Sequence, residues 1–316
     1  MKNRKIILSL LLSILLVLLT CACSDNAGGN KKASTAIDET KLQSTEAKIT
    51  ITHKIDNKTK ILYFKGNGPI YQEQWIKYTS DGRLLTAYPE KIIIGQGATL
   101  IGDYAFDNDS VGMSEGGRNG LDNVKKVEIP NTVTQIGKES FGRLSSLKSI
   151  EIPDSVVYIG KGAFAYCKAL KKVKLPAKLE KIPSEIFYFC EKLSKIKLPK
   201  SITKIGNNAF EFCESLKEIT IPESVETIGE EAFFSCKSLT KVNLPNNLKT
   251  ISDGAFVDCE NLNEITIPKS VENIGEEALG YETYAWSKNG FTIKGYKGSA
   301  AEKYAKENKM DFVSIG

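Results

Sequence analysis

The stretch CESLKEITIPESVETIGEEAFFSC, residues Cys213 to Cys236, begins and ends on a cysteine, and the two cysteines are 23 positions apart. Such a pair is compatible with a disulfide, with two metal ligands, or with one structural position that occurs twice in a repeat. The interval decides between these readings, because it recurs along most of the chain.

Proline marks this repeat. Prolines recur at the same interval as the two cysteines, at seven positions: Pro130, Pro153, Pro176, Pro199, Pro222, Pro245 and Pro268. An isoleucine follows each proline at the sixth position: Ile136, Ile159, Ile182, Ile205, Ile228, Ile251 and Ile274. A phenylalanine, or a leucine in the last unit, follows at the eleventh: Phe141, Phe164, Phe187, Phe210, Phe233, Phe256 and Leu279. The agreement of the three series indicates a tandem array.

An eighth unit precedes these seven. The segment IIIGQGATLIGDYAF carries Gly95 in the proline position, with Ile101 and Phe106 at the two offsets. Gly95 and Pro130 are 35 positions apart, which is one period of 23 plus an insertion of 12. The insertion falls in the polar, glycine-rich stretch DNDSVGMSEGGRNG, which predicts a surface loop.

Within one unit, KEITIP alternates polar and apolar residues, which predicts a half-buried strand. Ile219 and Ile221 should point inward, while Glu218 and Thr220 point outward. The next segment, SVETIG, is expected to turn the chain, and GEEAFFSC is compatible with a helical turn that buries its alanine and first phenylalanine. A single unit has too little core to fold alone, so the units must stack and bury a shared interior.

The pattern L-x-x-I-x-I-P-x-S-V-x-x-I-G-x-x-A-F-x-x-C resembles the leucine-rich repeats of the BspA-like surface proteins. This resemblance covers residues 91–280 and implies an α/β repeat solenoid: a right-handed array of about eight 23-residue units with a parallel sheet on one face. The flanking segments resemble those of the same family, with a β-rich N-terminal cap at 46–90 and a C-terminal cap at 281–316. Ser299 and Glu302 predict a capping box for a short helix in the second cap.

Residues 1–22 are predicted to be a lipoprotein signal peptide. A basic MKNRK precedes the apolar run IILSLLLSILLVLLT, and the small Ala22 precedes Cys23. This arrangement resembles a bacterial lipoprotein signal and implies lipidation of Cys23, although Thr20 departs from the usual leucine. An uncleaved anchor helix is the alternative, and both readings predict a membrane-tethered, extracytoplasmic protein. The polar, small residues of 23–45 predict a flexible stalk.

The cysteines other than Cys21 and Cys23 all stand at the fourteenth position after a repeat proline: Cys167, Cys190, Cys213, Cys236 and Cys259. Zinc sites use cysteines two to four positions apart, and no such pair occurs among these five. Their number is odd, and Leu144 takes the same position in another unit. We therefore predict a structural ladder of buried thiols, with some disulfide as the alternative.

No catalytic constellation is evident, so we predict that the chain is not an enzyme and uses no metal or other cofactor. The GMSEG segment at 112–116 matches the nucleophile motif G-x-S-x-G, but it lies in the inserted loop instead of between a strand and a helix. The single histidine, His53, is far upstream in the predicted N-terminal cap and reads as an exposed strand residue.

The outward positions of the predicted sheet offer a candidate binding face. Its lysines are Lys172, Lys174, Lys195 and Lys197 on two adjacent units, with Lys148, Lys171 and Lys217 one position further out. Stacked like charges repel unless they are solvated or neutralised by a partner. The functional reading is a patch for an acidic protein segment or for an anionic glycan or wall polymer, and the alternative is a solvated face without a ligand.

The leading hypothesis is a binding module displayed at the bacterial cell surface. The resemblance to BspA-like proteins implies adhesion to host matrix proteins or to other cells. The rivals are an envelope scaffold that organises other surface proteins and a wall-active hydrolase. The net charge is +5, and Lys2, Arg4 and Lys5 contribute 3 of it, which leaves 5 − 3 = +2 and no whole-chain reason to expect nucleic acid.

The lipidation hypothesis predicts that Cys23→Ala releases the protein from the membrane, because the substitution removes the sulfur that would carry the lipid. Fractionation of producing cells should then move the chain from the membrane pellet to the soluble fraction. Cys21→Ala serves as the matched control and should leave it in the pellet. Membrane retention of the Cys23 variant at the wild-type level would contradict the hypothesis.

Overall fold

The computed structural model describes residues 52–72, 88–108, 120–282 and 290–316. In these ranges the chain forms one α-helix, α1 (Ala300–Glu307), and 21 strands. The strands are β1 Thr52–Asp56, β2 Ile61–Lys65, β3 Gly68–Ile70, β4 Lys91–Ile94, β5 Ala98–Ile101, β6 Lys126–Glu128, β7 Gln135–Ile136, β8 Ser149–Glu151, β9 Tyr158–Ile159, β10 Lys172–Lys174, β11 Lys181–Ile182, β12 Lys195–Ile196, β13 Lys204–Ile205, β14 Glu218–Thr220, β15 Thr227–Ile228, β16 Lys241–Asn243, β17 Thr250–Ile251, β18 Glu264–Thr266, β19 Asn273–Ile274, β20 Thr292–Gly295 and β21 Asp311–Ser314.

The first strand of each unit contributes to what we call the front sheet. It comprises three successive groups of paired strands, β1-β2-β4-β6-β8-β10-β12, β14-β16 and β18-β20-β21. Pairing between repeat units is parallel, and it places Glu218 opposite Lys241, the equivalent position of the next unit. Ile219 and Ile221 are buried and Glu218 and Thr220 are exposed, which confirms the predicted alternation.

A second set of short parallel strands, which we call the side sheet, was not anticipated. It consists of β3-β5-β7-β9 and β11-β13-β15-β17-β19. The SVETIG segment does turn the chain, but its Thr227 and Ile228 form β15, which pairs with β13 before it and β17 after it. Strands this short cannot display a period-2 pattern, so the sequence carries no local signal for them.

The third side of each unit is built from turns. In GEEAFFSC, Ala232 and Phe233 are buried as expected, and Ala232 and Phe234 donate to carbonyls three residues back, but no continuous helix forms. The N–H groups of Glu231, Phe233 and Ser235 donate to carbonyls of the next unit, at Asp253, Ala255 and Val257, over 2.9 Å each. A helix would direct these groups to carbonyls of the preceding turn of the same segment. Bonding to the neighbouring unit therefore replaces helix formation, and Glu231 and Ser235 adopt left-handed backbone angles, with φ of 50° and 52°.

The interior between the three sides is a continuous apolar core. The phenylalanines of successive units form a ladder whose ring centroids lie 5.1 to 6.0 Å apart: Phe106, Phe141, Phe164, Phe187, Phe210, Phe233 and Phe256. Each of these rings is at most 1% exposed. Eight stacked units with a shared core confirm the α/β repeat solenoid predicted from the sequence.

Both described ends of the array differ from the repeat. At the N-terminal end β1 runs antiparallel to β2. At the other end α1, which is the predicted short helix, buries Ala301, Tyr304 and Ala305 and precedes β21. The capping box is wrong: Glu302 accepts a hydrogen bond from the N–H of Gly298 at 2.6 Å, and the Ser299 hydroxyl makes no capping bond. The Glu302 carboxylate reaches one residue further back than the motif requires.

The predicted signal peptide at 1–22, Cys23 and the stalk at 23–45 lie outside the described residues. Within the part of the chain that the structure describes, no helix is both long and apolar enough to cross a bilayer.

The stacked register predicts that Ile228→Asp unfolds the array. Ile228 is fully buried between the strands that hold Ile205 and Ile251, so a carboxylate there loses its hydration without gaining a partner. We expect a loss of more than about 4 kcal/mol in unfolding free energy, measured by urea denaturation. Thr227→Asp, one residue earlier on the half-buried outer face of β15, is the control and should cost far less. A normal transition in the Ile228 variant would refute the register.

Candidate functional site

The seven candidate lysines lie together on the front sheet, and we call them the lysine patch. β10 and β12 carry Lys172, Lys174 and Lys195, and the remaining members directly precede or follow the strands: Lys148, Lys171, Lys197 and Lys217. All seven side chains are exposed. The parallel register sets Lys172 opposite Lys195 and, on the other side, opposite Ser149.

One member of the lysine patch is neutralised. The ammonium of Lys174 donates a hydrogen bond to the carboxylate of Glu151, which stands opposite it in the register of β8 and β10. This hydrogen bond and the charge of Glu151 raise the pKa of Lys174 above its usual range. Lys174 therefore departs from the expected unpaired row of lysines.

The other six lysines of the patch have no carboxylate within 4.0 Å among the described residues. Lys172 and Lys195 occupy directly opposed positions on neighbouring strands, which lie about 4.8 Å apart. Like charges in this arrangement destabilise the sheet unless water or a ligand screens them. The patch is thus a cationic surface in which one lysine of seven is paired with a carboxylate among the described residues.

The adjoining strands of the front sheet balance their charges. Glu128 accepts from Lys126 at 2.8 Å and from Lys91 at 2.9 Å, and these contacts, led by that of Lys126, lower the pKa of Glu128. An open depression of about 620 Å³ lies over β6, β8 and β10 and joins this neutral region to Lys172 and Lys174. The lysines of β4 and β6 are therefore neutralised, in contrast to most of those in the patch.

The five repeat cysteines form a column in the core, and none is bonded to another. Each thiol donates a hydrogen bond to the backbone carbonyl of a phenylalanine of the preceding unit, at 3.2 to 3.4 Å: Cys167 to Phe141, Cys190 to Phe164, Cys213 to Phe187, Cys236 to Phe210 and Cys259 to Phe233. Burial raises the pKa of the first four thiols far above the usual range, which makes them poor nucleophiles.

Of the motif residues considered for catalysis, only His53 is among the described residues. The GMSEG segment at 112–116 lies outside the described residues. His53 is half-buried in β1, with its ring centroid 6.2 Å from that of Phe64, so its expected exposure is wrong. β1 is separated from β8 by β2, β4 and β6 in the order of the sheet, which places the histidine away from the lysine patch.

The turn side carries a row of aromatic rings that continues from unit to unit. Tyr166 stacks on Phe189 at 5.2 Å, Phe189 stacks on Phe212 at 4.1 Å, and Phe212 meets the edge of Phe234 at 5.5 Å. Phe234 is buried and the other three are half-buried. Most of their ring surface is used by contacts within the array.

Sequence reasoning missed an acidic cluster beside this row. Asn208 donates to the carboxylates of Glu211 and Glu231, at 2.5 and 2.9 Å. Burial, assisted by the nearby charge of Glu231, raises the pKa of Glu211 to about 8. The sequence did contain a signal for this cluster. Glu211 stands at the twelfth position after its proline, and other units have an apolar residue at that position, such as Ala165 and Val257.

With the repeat and its surfaces described, the chain can be compared with known proteins. The model of the BspA-type leucine-rich repeat region, in six copies, matches residues 119–237 and 180–285, more than half of the chain. The chain belongs to this family. A comparison with curated proteins finds no match.

The chain is also similar to solved structures of leucine-rich repeat proteins, at low sequence identity. A leucine-rich repeat protein of T. pallidum (TpLRR) is 19% identical, with coverage of 86% of this chain and 98% of its own and a TM-score of 0.41. The pneumococcal vaccine antigen PcpA is 17% identical, with coverage of 84% and 97% and a TM-score of 0.33. A leucine-rich repeat protein from Bacteroides ovatus is 18% identical, with coverage of 84% and 98% and a TM-score of 0.32.

The raised pKa of Glu211 predicts a pH-dependent stability. Between the ordinary glutamate pKa of about 4.3 and about 8, folded Glu211 holds a proton that the unfolded chain has lost. The unfolding free energy should therefore fall as pH rises through this window, on the order of 1 kcal/mol per unit.

Urea unfolding at pH 5, 6, 7 and 8 measures this slope. Glu211→Gln keeps an acceptor for Asn208 but cannot ionise, so its stability should decline less with pH than that of the wild type. Glu226→Gln, at an exposed position, should leave the slope unchanged. Parallel pH profiles for wild type and Glu211→Gln would show that this carboxyl is not the cause.

Proposed function

We propose that this chain is a non-enzymatic, lipid-anchored binding module on the outer side of the bacterial membrane, and that it mediates adhesion to host matrix proteins or to other cells. The membership in the BspA-type repeat family supports a binding module. The signal pattern that ends at Cys23, followed by a polar stalk, supports an anchored solenoid held away from the membrane.

The observation that carries the proposal is the charge pattern of the lysine patch. At several other places along the array a lysine meets a glutamate one unit away, as in Lys168–Glu191 at 2.8 Å and Lys237–Glu214 at 2.7 Å. On the front sheet, the opposed Lys91 and Lys126 share Glu128, whereas the opposed Lys172 and Lys195 of the patch have no such carboxylate among the described residues. Like charges that face each other on neighbouring strands destabilise the sheet. An anionic partner would neutralise them, and this supports a binding role for the patch.

The shape of the surface favours binding over catalysis. The patch lies on the outward face of paired strands, and its lysines are exposed, whereas lysines that act as nucleophiles or general bases are typically buried. The thiols, which are the strongest nucleophiles of the repeat, lie in the core, and burial raises the pKa of the first four. Such a surface is suited to hold a macromolecule.

Two double variants test the role of the patch. Lys172→Gln with Lys195→Gln removes the opposed pair of the front sheet. Lys181→Gln with Lys204→Gln removes an equally opposed pair of the side sheet, on the same two units and with the same change of charge. Melting curves should show that both variants fold.

We expect full-length wild-type protein, immobilised on beads, to bind a panel of matrix proteins and intact cells above a control repeat protein. The front-sheet variant should lose most of this binding, because it removes the central cations, and the side-sheet variant should retain it. Absence of binding to every surface, together with capture of other envelope proteins from the producing cell, would overturn adhesion in favour of a scaffold.

A further inference from the structure

We infer that the ligand of the lysine patch is a linear polyanion carrying phosphate or sulfate groups, which lies across the strands of the front sheet. This inference deepens the proposed function and rests on it, because it names the chemistry that the same surface recognises. Four features support it: the spacing of the lysines, their state of pairing, the absence of apolar anchors in the described patch, and the closure of the strand edges.

The lysines form rows that run from strand to strand. Lys172 and Lys195 are neighbours in one row, Lys148 and Lys171 in a second, and Lys217 continues the second row beyond Ser194. Successive strands are about 4.8 Å apart, so the second row extends over about 14 Å. In the second row a polymer laid across the strands meets a lysine on three of four successive units, whereas one laid along β10 meets Lys171, Lys172 and the already neutralised Lys174.

The charge balance suits a multiply charged anion. Seven lysines share this area with the acids Glu151 and Glu218, and Glu151 is already engaged by Lys174. Lysine acts as a point charge on a long stem, so it can follow the irregular positions of phosphate or sulfate groups along a flexible chain. Release of the counterions that surround such a polymer adds to the binding free energy.

The patch lacks the groups that hold a folded protein. Protein interfaces are rich in aromatic residues and poor in lysine, and a few large apolar side chains contribute most of their binding energy. Among the described residues the large hydrophobic side chains with substantial exposure are Tyr88, Val157, Val313 and Ile315, and none belongs to the patch. A partner that binds through large apolar side chains would find no anchor here, so a matrix protein or a cell would be held through a polyanionic chain that it carries.

Two strands of the patch, β8 and β10, are closed to an added peptide strand. β8 lies between β6 and β10, and β10 lies between β8 and β12, which ends this group of paired strands. The backbone groups of β8 and β10 are therefore used on both sides, so an acidic peptide could not add main-chain hydrogen bonds to these two strands in the manner of strand addition. It would bind through its carboxylates alone, and the observations favour the phosphate or sulfate polymer.

The side sheet provides the contrast. It also has an opposed lysine pair, Lys181 of β11 and Lys204 of β13. Two exposed glutamates lie nearby: Glu180 directly precedes β11, and Glu226 directly precedes β15, the strand after β13. The mixed charge weakens the attraction for a polyanion. This pair is the matched control for Lys172 and Lys195.

The test is a titration of fluorescently labelled inorganic polyphosphate with the full-length protein at several NaCl concentrations, followed by anisotropy. We expect salt-sensitive binding by the wild type. Lys172→Gln with Lys195→Gln should weaken binding about tenfold and flatten the dependence of the logarithm of the affinity on the logarithm of salt by about one to two units. Lys181→Gln with Lys204→Gln should change neither. Equal losses in both variants would overturn the inference.

Two further probes separate the possible sources. Heparin, a sulfated glycan, tested beside polyphosphate shows whether sulfate or phosphate is preferred, and patch-dependent binding of either supports the inference. Polyglutamate of similar charge should bind more weakly, and tighter binding of polyglutamate overturns it in favour of an acidic peptide. If the wild type adheres to cells but binds neither polyphosphate nor heparin, the polyanion inference is overturned and the adhesion proposal stands. If the wild type binds none of the cells, matrix proteins or polyanions, both proposals are overturned.

Discussion

Hydrogen bonding of each unit to the next, in a register fixed at one repeat period, is the constraint on which this structure depends. It acts on all three sides, and on the two sheets it pairs Lys172 with Lys195 and Ile205 with Ile228. The close approach also explains the glycine that often follows the repeat isoleucine, since a Cβ at Gly229 would lie 2.7 Å from the backbone nitrogen of Asn207. Equivalent residues are thereby forced into columns.

Much of this arrangement could be predicted, because residues that stack in one column of the structure recur at a fixed interval in the sequence. The series of prolines, isoleucines and phenylalanines defined the unit, and the alternation in KEITIP placed Ile219 inside and Glu218 outside, as the structure confirms. The side sheet and the turn side were missed for a physical reason. Their hydrogen bonds join one unit to the next instead of neighbours in sequence. Glu231 and Ser235 adopt left-handed backbone angles, and neither residue type is one from which such angles are predicted.

The candidate site was predictable in position but not in pairing. The register placed Lys174 opposite Glu151, yet whether the two side chains meet depends on rotamers that no periodic pattern encodes. The same holds for Glu211, whose raised pKa follows from burial and from the nearness of Glu231. A polar residue in a slot that is apolar in other units is the sequence feature that marks such a position.

Columns make the surface of a repeat protein unusually dependent on single substitutions. An ion pair between units needs opposite charges at one position of two consecutive repeats, as in Lys237 and Glu214. A substitution that reverses one of the two charges turns attraction into repulsion. Neutral and charged stretches can therefore alternate along one face without any change of backbone. The lysine patch is such a stretch: its backbone register matches that of the neighbouring strands, and only the side chains at Lys172, Lys195 and Lys197 distinguish it. The order of charges along the columns, and not the backbone, therefore distinguishes one part of this surface from another.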